Sequence, residues 1–214
     1  MKQKITCPCG SSFTVDVDEE INLDKNPELL KQILDGSFFN FSCSNCGKKH
    51  KPEFPVFVLW PGKKIKFEVL PELDRGEFFR RKKDLPETET IISYPELADR
   101  LLVIRDNLEP VVIEALKYFL LVRAEQSYPE LRISAWYHGI KLNAAGQADS
   151  IEFHLHGIKK DEVAVSRIPL SLYEKNLADY KKKPKSELFK SLRLRTYLSV
   201  SNMLNNMMKP EGML

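Results

Sequence analysis

Alternating and helical patterns of apolar residues both occur in the N-terminal third of the chain. Polar and apolar residues alternate over residues 12–17, which is typical of a half-buried strand. Apolar residues then recur on one helical face between Pro27 and Gly36. Because proline begins and glycine ends many helices, a helix is predicted there. Two further strands are predicted over residues 53–59 and 64–69, on either side of a Pro-Gly turn.

Longer helical patterns occupy much of the remaining chain. Residues 71–90 are polar and predict an exposed loop or a short helix. Apolar residues at helical spacing then predict one helix over residues 94–105 and a second, with a wide apolar stripe, over residues 109–127. The C-terminal segment, residues 171–208, is also helical in pattern, with a break at Pro184.

Three strands are predicted between these helical regions, over residues 131–142, 150–157 and 162–169. Short polar connections join them, so we expect an antiparallel meander. In the middle strand apolar residues alternate with polar ones, which turns the apolar set toward a core. Because strands and helices occupy separate stretches of the chain, the pattern as a whole predicts an α+β fold.

Composition and charge exclude several classes of protein. The 214 residues are 43% hydrophobic and 29% charged, which is ordinary for a folded protein and too apolar for a disordered one. The net charge of +3 does not demand a polyanionic partner. The longest apolar runs, such as residues 56–60, are far too short to cross a bilayer, and the N-terminal segment lacks a signal-peptide core. We therefore expect a soluble, cytoplasmic protein with no membrane partner.

Four cysteines supply the clearest chemical signal. Cys7, Cys9, Cys43 and Cys46 form two close pairs, and glycine follows each pair directly. A reducing cytosol disfavours two structural disulfides, whereas four thiolates complete the tetrahedral shell that Zn²⁺ prefers. The spacing therefore predicts a structural zinc ion bound by these four residues. The alternatives are a redox-active dithiol at the second pair and four buried thiols without a metal.

The two cysteine motifs and several later segments are shared with a known family. The segments are ITCPCG (residues 5–10), NPELL (26–30), FSCSNCGK (41–48), YPEL (94–97) and RDNL (105–108). In these segments the chain resembles the CpXC domain family over about its first 130 residues. It departs from the family pattern in having C-P-C where the family has C-P-x-C, and Ser44 where the family has proline. The resemblance implies a metal-bound module and indicates no reaction.

These observations together predict two parts. Residues 1–70 are expected to form a zinc-ribbon-like four-cysteine module, and residues 71–214 a mixed domain of helices and antiparallel sheet. No phosphate-binding loop, nucleophile elbow, zinc-protease motif or dinucleotide fingerprint occurs in the sequence. We therefore name no catalytic residue and no organic cofactor, and we lean against an enzyme.

Three histidines in the predicted meander support one alternative function. His154 and His156 project from the same face of a strand, and a hairpin register that pairs His138 with His154 adds Glu152 to that face. Imidazoles and a carboxylate can bind a transition metal or transfer protons, so a metal-dependent hydrolase or another enzyme using this face is one alternative. We favour an ordinary polar sheet face, because the apolar residues between the histidines account for their placement.

A basic C-terminal segment supports a second alternative. Residues 167–214 contain 10 basic and 4 acidic residues. Nucleic-acid binding through this segment predicts one basic surface. Its members would be Lys181, Lys182, Lys183, Lys185, Arg193 and Arg195.

Our favoured interpretation is a binding module that contacts a protein partner or associates with itself. This interpretation predicts an exposed apolar patch, with Met203, Leu204, Met207 and Met208 as candidates.

Overall fold

A computed structural model of the chain describes residues 1–207, with side chains described as far as Leu204. The chain divides into two compact units, of which the first comprises Met1–Ala98 and the second begins at Asp99. Helices and sheets occur in both units, which confirms the predicted α+β class. The domain boundary expected near residue 70 stays a prediction. Among the described residues, no helix combines the length and apolar content that a membrane span requires.

The first unit consists of short strands with two helices. Its elements are β1 (Lys2–Thr6), β2 (Ser12–Asp16), β3 (Glu20–Asn22), α1 (Pro27–Asp35), β4 (Phe41–Ser42), β5 (Lys49–His50), β6 (Val56–Trp60), β7 (Ile65–Leu70), α2 (Arg75–Arg80) and β8 (Glu89–Ile92). Within the unit, four of the strands form a sheet in the order β8-β7-β6-β3. The β6–β7 pair is antiparallel, whereas β3 pairs with β6 and β7 pairs with β8 in parallel.

Two separate hairpins in this unit carry the cysteines. β1 pairs with β2, and β4 pairs with β5, both antiparallel. Each cysteine pair lies in the turn that joins the two strands of its hairpin. These strands bury few apolar side chains, so the hairpins gain little stability from a hydrophobic core.

An aromatic cluster positions the second hairpin after α1. The rings of Phe38 and Phe39 stack with their centroids 4.0 Å apart, and Phe39 lies 5.8 Å from both Phe54 and Tyr94. Phe41, the first residue of β4, completes the cluster at 6.0 Å from Phe39. Such aromatic contacts fix the path of the chain from the end of α1 to Cys43.

The second unit packs helices against a three-stranded meander. Its elements are α3 (Tyr94–Arg105), which begins in the first unit, α4 (Pro110–Ser127), β9 (Ser134–Leu142), β10 (Ala148–Lys159), β11 (Glu162–Pro169), α5 (Leu170–Lys182), α6 (Glu187–Ser191), β12 (Arg193–Leu194), β13 (Tyr197–Leu198) and α7 (Ser201–Met207). The meander is antiparallel in the order β11-β10-β9, as predicted. Its buried residues, among them Ile151 and Phe153, share one core with α4.

The structure contradicts two expectations for this unit. His154 lies opposite Trp136 rather than His138, because β9 bulges and His138 is the extra residue between the Tyr137–Phe153 and Gly139–Glu152 pairs. The predicted C-terminal helix is also interrupted. Its break at residues 183–186 agrees with the expectation at Pro184, but residues 193–198 form the β12–β13 hairpin instead of a helix.

Three charged side chains lie within the core of the second unit. Lys117 on α4 donates to Asp99 Oδ2 at 2.5 Å and to Glu114 Oε1 at 2.7 Å, and all three residues are buried. The second oxygen of each carboxylate accepts a backbone amide, from Tyr137 and Val200 respectively, each at 2.7 Å. The network therefore joins α3, α4, β9 and the residue directly before α7.

Candidate metal centre

The first cysteine pair is held on the tight turn between β1 and β2. The amide of Cys7 donates to the carbonyl of Ser11 at 2.8 Å, and the amide of Gly10 donates to the carbonyl of Cys7 at 2.9 Å. Gly10 has φ +88°, a conformation that glycine adopts without the steric cost other residues meet. Pro8 fixes one further backbone angle between the two thiols. The short C-P-C motif thus directs both sulfurs to the same side of the turn.

The second pair follows the same plan between β4 and β5. The amide of Cys43 donates to the carbonyl of Lys48 at 2.9 Å, and the amide of Gly47 donates to the carbonyl of Cys43 at 2.8 Å. Gly47 has φ +71°, so the glycine after each pair serves the same backbone requirement. Each turn therefore presents one buried and one exposed cysteine.

The four sulfurs meet at the spacing of metal ligands. Cys7 Sγ lies 3.5 Å from Cys46 Sγ, and Cys9 Sγ lies 3.8 Å from Cys43 Sγ. All four Sγ atoms lie within 4.8 Å of one another. A tetrahedral ion with metal–sulfur bonds of ~2.3 Å places its sulfurs ~3.8 Å apart, whereas a disulfide bond measures ~2.05 Å. The cysteines are therefore free thiols in a cluster that can hold a metal ion.

Polar neighbours surround the sulfurs, and sequence reasoning did not identify them. Ser11 Oγ lies 3.0 Å from Cys9 Sγ and 3.1 Å from Cys43 Sγ, so one hydroxyl contacts both turns. Asn45 Nδ2 donates to Cys9 Sγ at 3.6 Å. Such donors stabilise thiolates and orient them toward a metal. The sequence signal that could have identified them is a polar residue beside each cysteine pair: Ser11 follows the first pair, and Asn45 lies within the second.

These contacts shift the pKa values of the thiols in opposite directions. The hydroxyl and the amide of Ser11, helped by Asn45, lower the pKa of Cys9 to about 5. The Ser11 hydroxyl, followed by amides of the second turn, also lowers the pKa of Cys43. The amide of Cys9 favours the Cys7 thiolate, but desolvation and the neighbouring sulfurs outweigh it and raise the pKa of Cys7 to about 12. Four clustered thiolates therefore require a cation to coexist.

Comparison with known proteins identifies the family. The model of a family described as CpXC protein matches residues 5–117, which is more than half of the chain. The chain belongs to the CpXC family. It is also 27% identical over 220 residues to an uncharacterized protein of Treponema pallidum (strain Nichols), an alignment that covers 95% of this chain and 99% of that protein. No solved structure matches the chain.

The extent of the family match separates two candidate sites in this CpXC protein. Both cysteine turns lie inside the matched region, in agreement with the resemblance described above. The match ends within α4, at Lys117, so the meander lies beyond it. The histidines of the meander are therefore a feature of this chain that the family match does not cover.

The structure brings together two of the three histidines of the CpXC protein's meander. Ligand atoms of His138, Glu152 and His154 lie within 4.8 Å of one another, and we call these residues the histidine–glutamate cluster. His156 is exposed, pairs with Ser134 and lies outside the cluster. The Glu152 side chain is only 6% exposed, although its position on the polar face predicted exposure. A glutamate on a polar strand face carries no sequence signal of such burial.

Salt bridges keep Glu152 ionised inside the sheet. Burial alone raises the pKa of this carboxyl, but hydrogen bonds from Arg167 and then Lys141 outweigh the burial and lower the pKa to about 2. The same sheet face disfavours a charged imidazole at His138, whose pKa is lowered by desolvation and then by the neighbouring His154 and Lys141. The cluster thus combines a carboxylate with imidazole nitrogens.

The predicted basic surface and the predicted apolar patch of the CpXC protein differ in exposure. The six basic residues proposed for nucleic-acid contact are all exposed, at the end of α5, in the following turn and in the β12–β13 hairpin. Met203 and Leu204 are partly buried and pack against the core of the second unit. The side chain of Met207 and all of Met208 lie outside the described residues. Nucleic-acid binding and partner binding both stay predictions.

Proposed function

We propose that this protein is a cytoplasmic zinc protein whose single structural Zn²⁺ is bound by Cys7, Cys9, Cys43 and Cys46. The observation that carries the proposal is the spacing of the sulfurs, 3.5 Å and 3.8 Å across the two turns, which matches a tetrahedral four-thiolate shell. The cytoplasmic location is proposed because a reducing compartment keeps cysteine thiols available as metal ligands. A tetrahedral set of four sulfurs suits zinc or iron, so the metal must be identified by experiment.

A structural rather than catalytic role follows from the number of ligands. Four protein thiolates fill a tetrahedral zinc shell and leave no position for water or substrate. The ion would join the β1–β2 and β4–β5 hairpins, each of which contributes two ligands from its turn. This arrangement, two short hairpins closed by one metal, supports the zinc-ribbon-like description of the module.

With its metal shell closed, the module is proposed to act by binding a protein partner or a second copy of the chain. Exposed apolar side chains around α2 support this role. Leu73 is 96% exposed, and Phe79 and Leu85 are also exposed. Several large apolar side chains exposed within one short segment are typical of interaction surfaces.

Cobalt substitution tests the proposed coordination directly. Co²⁺ in four thiolates is expected to give strong sulfur-to-cobalt charge-transfer absorption and tetrahedral d–d bands. In the Cys9→Ser variant the charge-transfer intensity should fall by at least about a quarter, because one of four thiolates is lost and the metal is held less tightly. Ser44→Ala is the matched control, since Ser44 lies in the second turn and offers no ligand.

Two results would contradict the proposed zinc centre. One is a weak octahedral cobalt spectrum that the cysteine substitution leaves unchanged. The other is a purified protein that carries iron, with the colour of iron–thiolate absorption, in place of zinc.

A further inference from the structure

The carboxylate of Glu152 has one oxygen fixed and one directed toward two imidazoles. Arg167 Nε donates to Glu152 Oε2 at 2.9 Å. The other oxygen, Oε1, lies 3.1 Å from Lys141 Nζ, 3.4 Å from His154 Nε2 and 3.9 Å from His138 Nε2. Two nitrogen ligands of the kind that transition metals prefer therefore face the same carboxylate oxygen.

The bulge in β9 produces this arrangement. His138 is the extra residue of the bulge, and bulges redirect side chains relative to the neighbouring strand. Its ring stacks on that of His154 with the centroids 3.7 Å apart and the planes 16° apart. The bulge thus brings together residues that are not paired across the two strands.

The distances are close to those of a coordination shell. Ligand atoms bound at ~2.0–2.2 Å to one ion lie ~3.0–3.5 Å apart at tetrahedral or octahedral angles. The 3.4 Å and 3.9 Å separations are close to this range, but an ion lies in the plane of each imidazole that binds it. The half-exposed ring of His138 must therefore turn out of its stack with His154 when the ion binds. Arg167 supports the carboxylate as outer hydrogen-bond partners support metal ligands elsewhere.

We propose that His138, Glu152 and His154 form a second metal site, which binds a divalent transition ion such as Zn²⁺ or Ni²⁺ separately from the four-cysteine centre. Three protein ligands leave coordination positions open to water or to an external ligand, unlike the closed cysteine shell. The site is therefore chemically distinct from the structural centre.

Through its ammonium, Lys141 competes with a metal ion for the carboxylate of Glu152. Its ammonium lies beside the oxygen that the ion would use, and its side chain is 38% exposed, so it can move into solvent when a metal binds. The positive charges of Arg167 and Lys141 repel a metal ion at this site. Removal of one of these charges should therefore strengthen metal binding. The Lys141→Met variant therefore offers a test in which affinity increases.

The experiment uses the full chain with its four-cysteine centre already loaded with zinc, titrated with Ni²⁺ in a calorimeter. Nickel is chosen because it binds well to imidazole nitrogens. The zinc already bound to the four thiolates keeps nickel from that centre. We expect one saturable equivalent of Ni²⁺. His154→Ala and His138→Ala should each raise the Kd at least about tenfold, whereas Lys141→Met should lower it about tenfold.

His156→Ala is the matched control, because His156 lies two residues along the same strand and outside the cluster. Its Ni²⁺ affinity should equal that of the unsubstituted chain. Three results would overturn the proposal: no saturable Ni²⁺ binding below millimolar concentration, equal losses in His156→Ala and His154→Ala, or an unchanged affinity in Lys141→Met. A gain of affinity in Lys141→Met cannot arise from misfolding, so the test does not depend on the stability of the alanine variants.

Discussion

Replacing Lys117 with methionine is expected to lower the free energy of unfolding of the second unit by about 3–5 kcal/mol. The side chain is about the same length, so the substitution removes the charge with little change in volume. Lys117 contacts the carboxylates of both Asp99 and Glu114, and all three side chains are buried. Its loss removes from the core the one ammonium that both carboxylates contact.

The two carboxylates cannot escape by turning to solvent, because each also accepts a backbone amide. Burial raises the pKa of Asp99 despite the nearby ammonium. Burial also acts to raise the pKa of Glu114, but the charges of Lys117 and Arg100 outweigh it and lower that pKa. Without Lys117, we expect one carboxyl to take up a proton on folding, which carries a cost in free energy.

Urea denaturation of the full chain, followed by circular dichroism and by tryptophan fluorescence, measures this effect. Trp60→Phe in both chains leaves Trp136 as the reporter of the second unit. Arg123→Met is the matched control, since Arg123 is exposed on the same helix and its loss should change stability by less than about 0.5 kcal/mol. A loss of less than about 1 kcal/mol in Lys117→Met would contradict the proposed importance of the buried network.

Replacing Cys43 with serine is expected to abolish metal binding and to unfold both cysteine hairpins. Metal binding contributes about 10–16 kcal/mol to the folding of zinc-finger peptides at neutral pH. The hairpins here resemble such peptides in burying few apolar side chains. Cys43 is a sensitive choice because its sulfur is buried and contacts the Ser11 hydroxyl that links the two turns.

Hydrogen exchange followed by mass spectrometry reports this unfolding locally. Amides of residues 2–16 and 41–50 should lose protection in Cys43→Ser, while those of α4 and the meander should keep theirs. Ser44→Ala, in the same turn, should exchange like the unsubstituted chain. Full protection of both hairpins in Cys43→Ser would show that they fold without the metal.

Long periodic elements were predictable from the sequence because packing and local propensity agree there. The apolar spacing and the flanking prolines gave α4 within a residue of its observed start, Pro110, and at its observed end, Ser127. The alternation in β10 correctly placed Ile151, Phe153 and Leu155 in the core. Such segments are long enough for their period to be recognised.

Short elements and strand registers were not predictable on the same basis. β3 and β8 contain three and four residues, too few to show a period. The β12–β13 hairpin was misread as helix because Leu194, Tyr197 and Leu198 also fit helical spacing. The bulge at His138 has no signature in the apolar pattern, so the true partners of His154 could not be inferred.

For the candidate site, cysteine chemistry was more informative than periodicity. Ligand number and spacing were enough to bring Cys7, Cys9, Cys43 and Cys46 together, as the structure has them. The bridging role of Ser11 depends on how the two turns approach each other in space. Contacts of this kind, between residues more than thirty positions apart, require coordinates.

Elemental analysis of the purified full chain tests the central claim most directly. Protein prepared without added metal should contain one zinc per chain that withstands extensive dialysis, and Cys43→Ser, treated in parallel, should retain close to none. A fully folded, unsubstituted chain that contains no zinc, or a Cys43→Ser variant that retains a full equivalent, would contradict a structural zinc ion at the four cysteines.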